Sequence, residues 1–405
     1  MLEFKNNILA RQFKNYSWSF AVFALIGSAY LPDLAWATNL RPHSTSNEWG
    51  SAQINALGGI GSLSDDFVDQ YFSDPSLVAE SKKTVQLRWL SLGVTYTKDL
   101  ANTVSDFSSA FQSDSSSSSG SGVVSYLDKL RTLFGRRLGG EMNIAILATQ
   151  IGNFTLIPYA SGSVEGGIDV PSWPRADLVG DGYFGLGFGY AHKLPKGFTV
   201  GANLRPGVRA YAHVQGSVSD VGGFATSSAT GTGTSTSSSL NPKAGLGFYL
   251  PLDLGLGYSP HKIVRFNLVM KDFAGAASLS KIQGDTPPTY PMRISLGVTS
   301  MLFEKGSHKI NGATDLQDML ALNQQGALWY RWQFAAQYLY RLPIRTQTSF
   351  GLNAGLQSGY PSVGVFIDLF LVKIEASTFT KESGLYIGQR PLTAYSFRAF
   401  SQLTF

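Results

Sequence analysis

Residues 328–340 of the chain read LWYRWQFAAQYLY, and this stretch carries the clearest signal of the fold class. Its even positions carry apolar or aromatic side chains, whereas Arg331, Gln333 and Gln337 occupy odd positions. A period of two is typical of a β-strand, because successive side chains point to opposite faces of the sheet. Aromatic residues at both ends of the apolar face fit the two interfaces of a bilayer. The pattern therefore predicts a membrane-crossing strand whose polar face lines a lumen.

Residues 200–214 repeat this alternation, with Val200, Val208 and Ala210 on one face and Arg205 and Arg209 on the other. Comparable segments recur along the chain. They lie near 84–97, 141–150, 152–163, 182–193, 197–214, 243–258, 262–273, 290–303, 307–315, 328–341, 346–357, 360–369, 370–380 and 393–405. Single-chain bacterial barrels have an even number of strands. The sequence therefore predicts an all-β fold, a transmembrane antiparallel β-barrel of fourteen strands.

The composition agrees with a barrel in lipid. The 405 residues are 43% hydrophobic and only 15% charged, whereas soluble domains carry roughly 25% charge. Beyond the N-terminus, no apolar run is long enough for a membrane-spanning helix. The absence of cysteine excludes disulfides, thiol catalysis and cysteine-based zinc sites. The net charge of +5 is spread without a dense Lys/Arg block, so we expect no nucleic-acid partner.

The first 37 residues have the pattern of an export signal. Lys5, Arg11 and Lys14 form a basic region, residues 20–31 form an apolar run, and an Ala-Trp-Ala tripeptide ends at Ala37. We expect cleavage after Ala37. An exported barrel is expected in the outer membrane of a Gram-negative-type bacterium, with outer-membrane lipid around it.

The connections between predicted strands alternate between short and long, as in outer-membrane barrels. Two long connections contain Ser-rich runs that have too little apolar surface to fold alone. We predict extracellular loops at about 98–140 and 215–242. Residues 123–137 have helical spacing and predict a short amphipathic helix. This helix lies over the barrel mouth or against the outer leaflet, or alternatively it binds a partner or gathers substrate.

The segment before the first predicted strand, 38–83, contains LGGIGSLSDD at 57–66 and FSDPSLVA at 72–79. It resembles the N-terminal hatch of the FadL-type superfamily of outer-membrane barrels, the long-chain fatty-acid transporters. In that hatch a glycine-rich turn, an acidic pair and an Asn-Pro-Ala tripeptide precede strand one. The residues at the corresponding positions here are Gly58, Gly59, Gly61, Asp65, Asp66, Asp74 and Pro75. Ser76 after Asp74-Pro75 departs from the family's tripeptide, as Asp74 itself does.

The nearest branches are the PorV-like and TraF-like proteins, which share C-terminal patterns that resemble 351–361 and 381–390. The resemblance implies a hatch over 38–83 that plugs a barrel over 84–405. It implies a protein that binds or transports a hydrophobic or amphipathic small molecule when the plug moves. The PorV-like branch implies an alternative, a scaffold that holds protein partners for secretion or cell-surface attachment.

The last predicted strand resembles the C-terminal signal that the barrel assembly machinery of bacteria reads. Its signal residues here are Phe397, Leu403 and Phe405. The resemblance therefore implies that this machinery is a partner of the chain during assembly.

The polar faces of the predicted strands supply the candidate ligand-binding residues. They are Arg205, Arg209, Arg293, Arg331 and Lys373. An arginine in the lumen can bind the carboxylate of an amphipathic ligand through two hydrogen bonds. Alternatively, these charges pair with hatch carboxylates and tie the plug to the wall.

The hatch aspartates leave two alternatives open. Asp65, Asp66, Asp69 and Asp74 either pair with lumen arginines or form a calcium cluster, although their spacing matches no calcium loop. The glycine run lacks the Lys-Ser/Thr that follows in a phosphate loop. The five histidines are scattered and no Gly-x-Ser-x-Gly elbow occurs. We therefore expect no enzyme, no metal site and no cofactor.

Overall fold

The computed structural model describes residues 49–81, 85–98, 100, 137–169, 175–217, 243–261, 263–273, 280–285, 287, 292–320, 331–342, 348–382 and 391–404. Several predictions fall on other parts of the chain. The export signal, the Ser-rich runs, Phe405 and residues 123–136 of the helix predicted over 123–137 lie outside the described residues, and the last residue of that helix, Arg137, begins a strand instead.

Fourteen antiparallel strands form one sheet that closes on itself. They are β1 (Val85–Thr97), β2 (Arg137–Ile151), β3 (Phe154–Asp169), β4 (Arg175–Lys193), β5 (Phe198–Leu204 and Gly207–Ser217), β6 (Lys243–Tyr249 and Leu252–His261), β7 (Val264–Phe273 and Ser280–Gly284), β8 (Arg293–Lys305), β9 (His308–Leu316), β10 (Trp332–Arg341), β11 (Thr348–Gln357), β12 (Tyr360–Leu369), β13 (Val372–Glu382) and β14 (Pro391–Thr404). Each strand pairs with its neighbours in the chain, and β14 pairs with β1, where Phe397 faces Val94. The predicted all-β fold and the count of fourteen are confirmed.

Several strand boundaries differ from the prediction. β3 continues to Asp169 rather than near 163, and β7 continues in Ser280–Gly284 beyond its predicted end at 273. β2 begins at Arg137, inside the predicted loop over 98–140. β4 begins at Arg175 rather than near 182, and the second part of β5 continues to Ser217, inside the predicted loop over 215–242. Glycines at these strand ends, such as Gly139 and Gly180, have no side chain that could reveal the alternation. The strands therefore extend further than the sequence pattern indicates.

The outward face of the barrel is apolar, as the alternation predicts, and polar side chains lie on the inward face of strands such as β10. In β10, Phe334 is 50% exposed, whereas its neighbour Gln333 is only 3% exposed. Phe184, Val365 and Phe397 likewise face outward on other strands. An apolar surface that runs around a barrel matches the lipid-facing band of transmembrane barrels.

Two adjacent strands are interrupted at the same height, although the sequence analysis predicts each as continuous. β5 breaks at Arg205-Pro206 and β6 breaks at Leu250-Pro251. The residues that flank the breaks face each other, Leu204 opposite Leu252 and Gly207 opposite Tyr249. Proline has no N–H to donate to the ladder, so both breaks fall where a proline stands. We call residues 205–206 and 250–251 the seam.

Residues 49–81 form the inner segment, which contains only short helices. These are α1 (Ala52–Ala56) and α2 (Phe67–Ser73), with 3-10 turns at Gly61–Leu63 and Pro75–Glu80. The side chains of Ser51 and Asp66 cap α1 and α2 by accepting hydrogen bonds from backbone N–H groups of their first turns. Among the described residues, no helix has the length and apolar character that crossing a membrane would require.

The inner segment lies inside the barrel, because it contacts inward faces on opposite sides. α1 packs against β11 to β14, and the Pro75–Glu80 turn packs against β4 to β6. Gly58 and Gly59 have φ of +62° and +89°, which is the tight turn that the glycine run predicts. Their backbones reach β10 and β11 at Gln333 and Leu356. The described part of the predicted hatch therefore occupies the lumen.

Candidate functional site: the barrel lumen

A buried cluster of charged side chains joins the inner segment to the wall. We call it the anchor network, and it consists of Asp66, Asp69, Arg88, Lys373, Glu375 and Arg398. Its centre is Arg398 of β14, whose Nη2 lies 2.8 Å from Glu375 Oε1, 3.0 Å from Asp69 Oδ2 and 3.1 Å from Asp66 Oδ2. Arg88 of β1 pairs with Asp66. Three carboxylates therefore face three cations, and the buried charges are balanced.

The network shifts the pKa values of its two inner-segment carboxyls in opposite directions, because burial raises the pKa of Asp69 to about 6 whereas Asp66 stays charged. Burial alone would raise the pKa of the Asp66 carboxyl, but the guanidinium groups of Arg88 and Arg398 hold that pKa below its usual range. The Phe400 ring also lies 3.6 Å from the centre of the Arg88 guanidinium and 4.7 Å from that of Arg398. These cation–π contacts cover guanidinium faces that make no ion pair.

A second set of contacts holds the far end of the inner segment. Arg265 of β7 donates from Nη2 to Ser76 Oγ at 2.6 Å and lies 3.4 Å from Asp74 Oδ2. It also pairs with Glu80. Asn203 of β5 donates to the backbone oxygen of Tyr71. The inner segment is therefore held at both ends, by β1, β13 and β14 on one side and by β5 and β7 on the other.

The structure places two of the predicted ligand-binding cations together. Arg205 Nη2 lies 2.9 Å from Asp253 Oδ1 and 2.7 Å from Asp272 Oδ1. Arg293 Nη2 lies 3.5 Å from the other oxygen of Asp272. Arg205 and Arg293 thus share one carboxylate beside the seam.

The other three candidates lie elsewhere. Arg209 makes a bidentate pair with Asp181, with distances of 2.9 Å from Nε and 2.6 Å from Nη2. Lys373 belongs to the anchor network, and its Nζ also lies 2.6 Å from Gln53 Oε1. Arg331 precedes β10 and donates from Nη1 to the backbone oxygen of Asp318 at 2.8 Å. Each of the five predicted cations therefore has a protein acceptor.

Some of the predicted hatch residues contact the barrel wall and others do not. Asp66 and Asp74 contact wall arginines as the ion-pair alternative predicts, whereas Asp65 is exposed. Gly61 lies against Ser73, since a Cβ at Gly61 would lie 1.7 Å from Ser73 Oγ. Among the described residues, no three His, Asp or Glu side chains stand together as metal ligands.

The wall partners of the inner segment include three arginines that the sequence analysis does not single out, Arg88, Arg265 and Arg398. Arg398 alternates with the outward Phe397 and could have been found from the period of β14. Arg88 is harder to find, because the register of β1 shifts between Arg88 and Ser91. This β-bulge breaks the period of two. Phe397 faces outward, and Leu403 lies on β14 near its end.

One side of the lumen is aromatic. Trp49 stacks on Phe72 with ring centres 5.1 Å apart, and Tyr159 lies 4.9 Å from Phe72 and 5.2 Å from Tyr183. Tyr249 lies 6.1 Å from Tyr183. All five side chains are buried. We call this group the aromatic side.

The aromatic side adjoins the seam. The Tyr183 hydroxyl donates to the backbone oxygen of Arg205. The Tyr71 hydroxyl donates to the backbone oxygen of Leu204 at 3.3 Å. These hydroxyls satisfy carbonyl groups at the break in the ladder. The inner segment, through Tyr71, thus helps to close the seam.

The opposite side of the lumen is polar. Asn311 donates to Gln337 at 3.2 Å, and Gln337 donates to Asn353 at 3.2 Å. These residues lie on β9, β10 and β11, and all three are buried. We call the inward face of β7 to β11 the polar side.

No family model matches the chain, and no curated protein matches it. Solved structures similar to this chain include the toluene transporter TbuX of Ralstonia pickettii, with a TM-score of 0.47, 11% identity, and coverage of 88% of this chain and 99% of that chain. The toluene transporter TodX of Pseudomonas putida has a TM-score of 0.42 at 11% identity, covering 88% and 98%. A FadL homologue of Pseudomonas aeruginosa has a TM-score of 0.42 at 12% identity, covering 87% and 97%.

Proposed function

We propose that the chain is an outer-membrane barrel that binds or transports a hydrophobic or amphipathic small molecule. The aromatic side of the lumen is the observation that carries this proposal. A pore for hydrophilic solutes has a polar, water-filled interior, whereas ligand pockets are lined mainly by apolar and aromatic side chains. The apolar outward face and the predicted export signal support a location in the outer membrane.

We propose two exits for a molecule bound at the aromatic side. One exit passes the Pro75–Glu80 turn toward the end of the barrel that has the short connections, which faces the periplasm. The other exit is the seam, which leads into the surrounding lipid. The Tyr71 hydroxyl of the inner segment donates a hydrogen bond to the backbone oxygen of Leu204, next to the seam. Either exit therefore requires movement of the inner segment.

The scaffold alternative depends on the long loops, which lie outside the described residues. The described part of the chain gives that alternative no support. We therefore propose transport or binding, and we propose no catalytic role.

A disulfide lock tests whether the inner segment must move. The chain has no cysteine, and the hydroxyls of Ser62 and Thr299 lie 3.0 Å apart. The double variant Ser62→Cys/Thr299→Cys therefore places two sulfurs within bonding reach. In cells that carry this barrel, we expect oxidation to slow the uptake of radiolabelled toluene and oleate several-fold. The disulfide would tie the Gly61–Leu63 turn of the inner segment to β8. Reduction of the same cells should restore uptake.

The single variant Ser62→Cys, treated with the same oxidant, is the matched control and should keep its uptake. Cells without the barrel give the background rate. The proposed function is wrong if the wild-type barrel takes up both probes no faster than this background. If uptake by the wild type exceeds the background but the oxidised and reduced double variants take up the probes at the same rate, transport does not require movement of the Gly61–Leu63 turn.

A further inference from the structure

Three oxygen atoms on the polar side of the lumen have no hydrogen-bond partner among the residues that the structure describes. They are Asn267 Oδ1, Asp315 Oδ1 and Gln333 Oε1, on β7, β9 and β10. Their residues are 4%, 7% and 3% exposed. In the sheet, Asn267 faces Gly297, Gly297 faces Asp315, and Asp315 faces Gln333. The three side chains therefore form one row across the wall, which we call the acceptor row.

Two of these oxygens converge above Gly297 of β8. A Cβ atom at Gly297 would lie 1.8 Å from Asp315 Oδ1 and 2.6 Å from Asn267 Oδ1. The oxygens therefore share the space that a side chain at Gly297 would fill. Two acceptors in one buried space repel each other unless a positive charge or a donor lies between them.

The inner segment closes this space from the lumen. Ser62 is hydrogen-bonded to Thr299 of β8, two residues beyond Gly297. A Cβ at Gly59 would lie 3.1 Å from Gln333 Oε1. Among the described side chains, none donates a hydrogen bond to Asp315 Oδ1. A buried carboxylate oxygen without a donor is unfavourable, so a proton, a hydrogen-bond donor or a small positive ligand would stabilise it.

We propose that the acceptor row binds a hard metal cation between Asp315 and Asn267, with Gln333 as a third ligand. Carboxylate and carboxamide oxygens are the ligand types that Ca²⁺ takes in proteins, and sites with few charged ligands bind it with dissociation constants of about 0.1–1 mM. The ion joins β7, β9 and β10 beneath the Gly61–Leu63 turn. It stabilises this part of the wall whether or not the barrel transports a small molecule.

The test measures thermal unfolding of the full-length barrel in detergent. The barrel is first refolded from urea, so that the sample contains no calcium bound to lipopolysaccharide. We expect CaCl2 to raise the unfolding temperature of the wild type relative to EDTA, with half of the effect at about 1 mM or below. Asp315→Asn should abolish this response. Glu304→Gln, which removes an exposed carboxylate at the β8–β9 turn, should leave it unchanged.

A second variant makes the test independent of a simple loss of stability. Asn267→Asp places two carboxylates over Gly297, so it should unfold at a lower temperature in EDTA and recover in CaCl2. The half-saturating calcium concentration should fall about tenfold, since a second charged ligand joins the site.

Equal calcium responses in the wild type and Asp315→Asn would overturn the proposal, because the ion would then act elsewhere. The proposal would also be overturned if calcium does not stabilise the wild type and Asp315→Asn is more stable than the wild type. That result would mean that the carboxyl group holds a proton instead of a metal ion. Neither result depends on uptake of toluene or oleate, so the proposed function is tested separately.

Discussion

Asp66 is the residue that does most to join the inner segment to the wall. Its side chain accepts a hydrogen bond from the backbone N–H of Val68 at 3.2 Å and so begins α2. The same carboxylate pairs with Arg88 and Arg398. One side chain therefore starts a helix and fixes that helix to β1 and β14.

Replacing Asp66 with asparagine tests this role. The asparagine side chain would keep the helix cap but leave Arg88 without its ion partner, so Asp66→Asn should lower the free energy of unfolding at pH 7 by about 3–5 kcal/mol. The pKa of Asp66 is lowered in the folded state. Its stabilisation is therefore complete above the usual pKa of about 4 and is lost as the pH falls further.

Urea unfolding of both proteins in detergent, over a series of pH values, measures this difference. The difference should shrink below pH of about 4. Asp65→Asn, at the exposed neighbouring position, should unfold like the wild type at each pH. A difference between wild type and Asp66→Asn that does not change with pH would contradict the role of the Asp66 charge.

Among the elements, the Pro75–Glu80 turn shows how closely the inner segment approaches the wall. A Cβ at Gly201 of β5 would lie 2.3 Å from the carbonyl carbon of Pro75. Only glycine permits this approach, because any side chain would collide with backbone. The position of the turn therefore depends on a residue of the opposing strand.

Gly201→Val should displace the Pro75–Glu80 turn and lower the free energy of unfolding by about 1–3 kcal/mol through overpacking. Thermal unfolding measures the loss, and limited proteolysis of the inner segment reports the displacement. Gly180→Val on β4 is the matched control, since a Cβ there would meet nothing within 4 Å. If Gly201→Val unfolds at the same temperature as the wild type and shows no new cleavage, the close approach does not hold the turn.

The seam is the element that the alternation could not show. Both interrupted strands keep their inward and outward faces across the break, so the period of two continues through 200–214. In the sequence, Pro206 and Pro251 are the residues that indicate these breaks. They mark a break in each strand, but only the register of β5 against β6 places Pro206 beside Pro251.

At the scale of the whole molecule, closure depends on the pairing of the last strand with the first. β14 pairs with β1 from Gln86 to Thr97. If the C-terminus is the signal for barrel assembly, deletion of Phe405 should reduce the amount of protein in the outer membrane several-fold. Phe405→Tyr keeps an aromatic ring and should retain most of it. Membrane fractionation measures both, and a folded, soluble periplasmic product after the deletion would contradict a membrane barrel.

The pattern of residues along the chain is enough to predict the all-β barrel, its fourteen strands and the two faces of each strand. These properties are local, because the backbone fixes the period of two within each strand. Which charges meet depends instead on the folded barrel. Asp66 and Arg398 are 332 residues apart in the chain, and their contact requires closure of the sheet and the path of the inner segment. For the same reason the carboxylate partners of Arg205 and Arg209 could not be predicted, and the acceptor row forms only when the four strands β7 to β10 are in register.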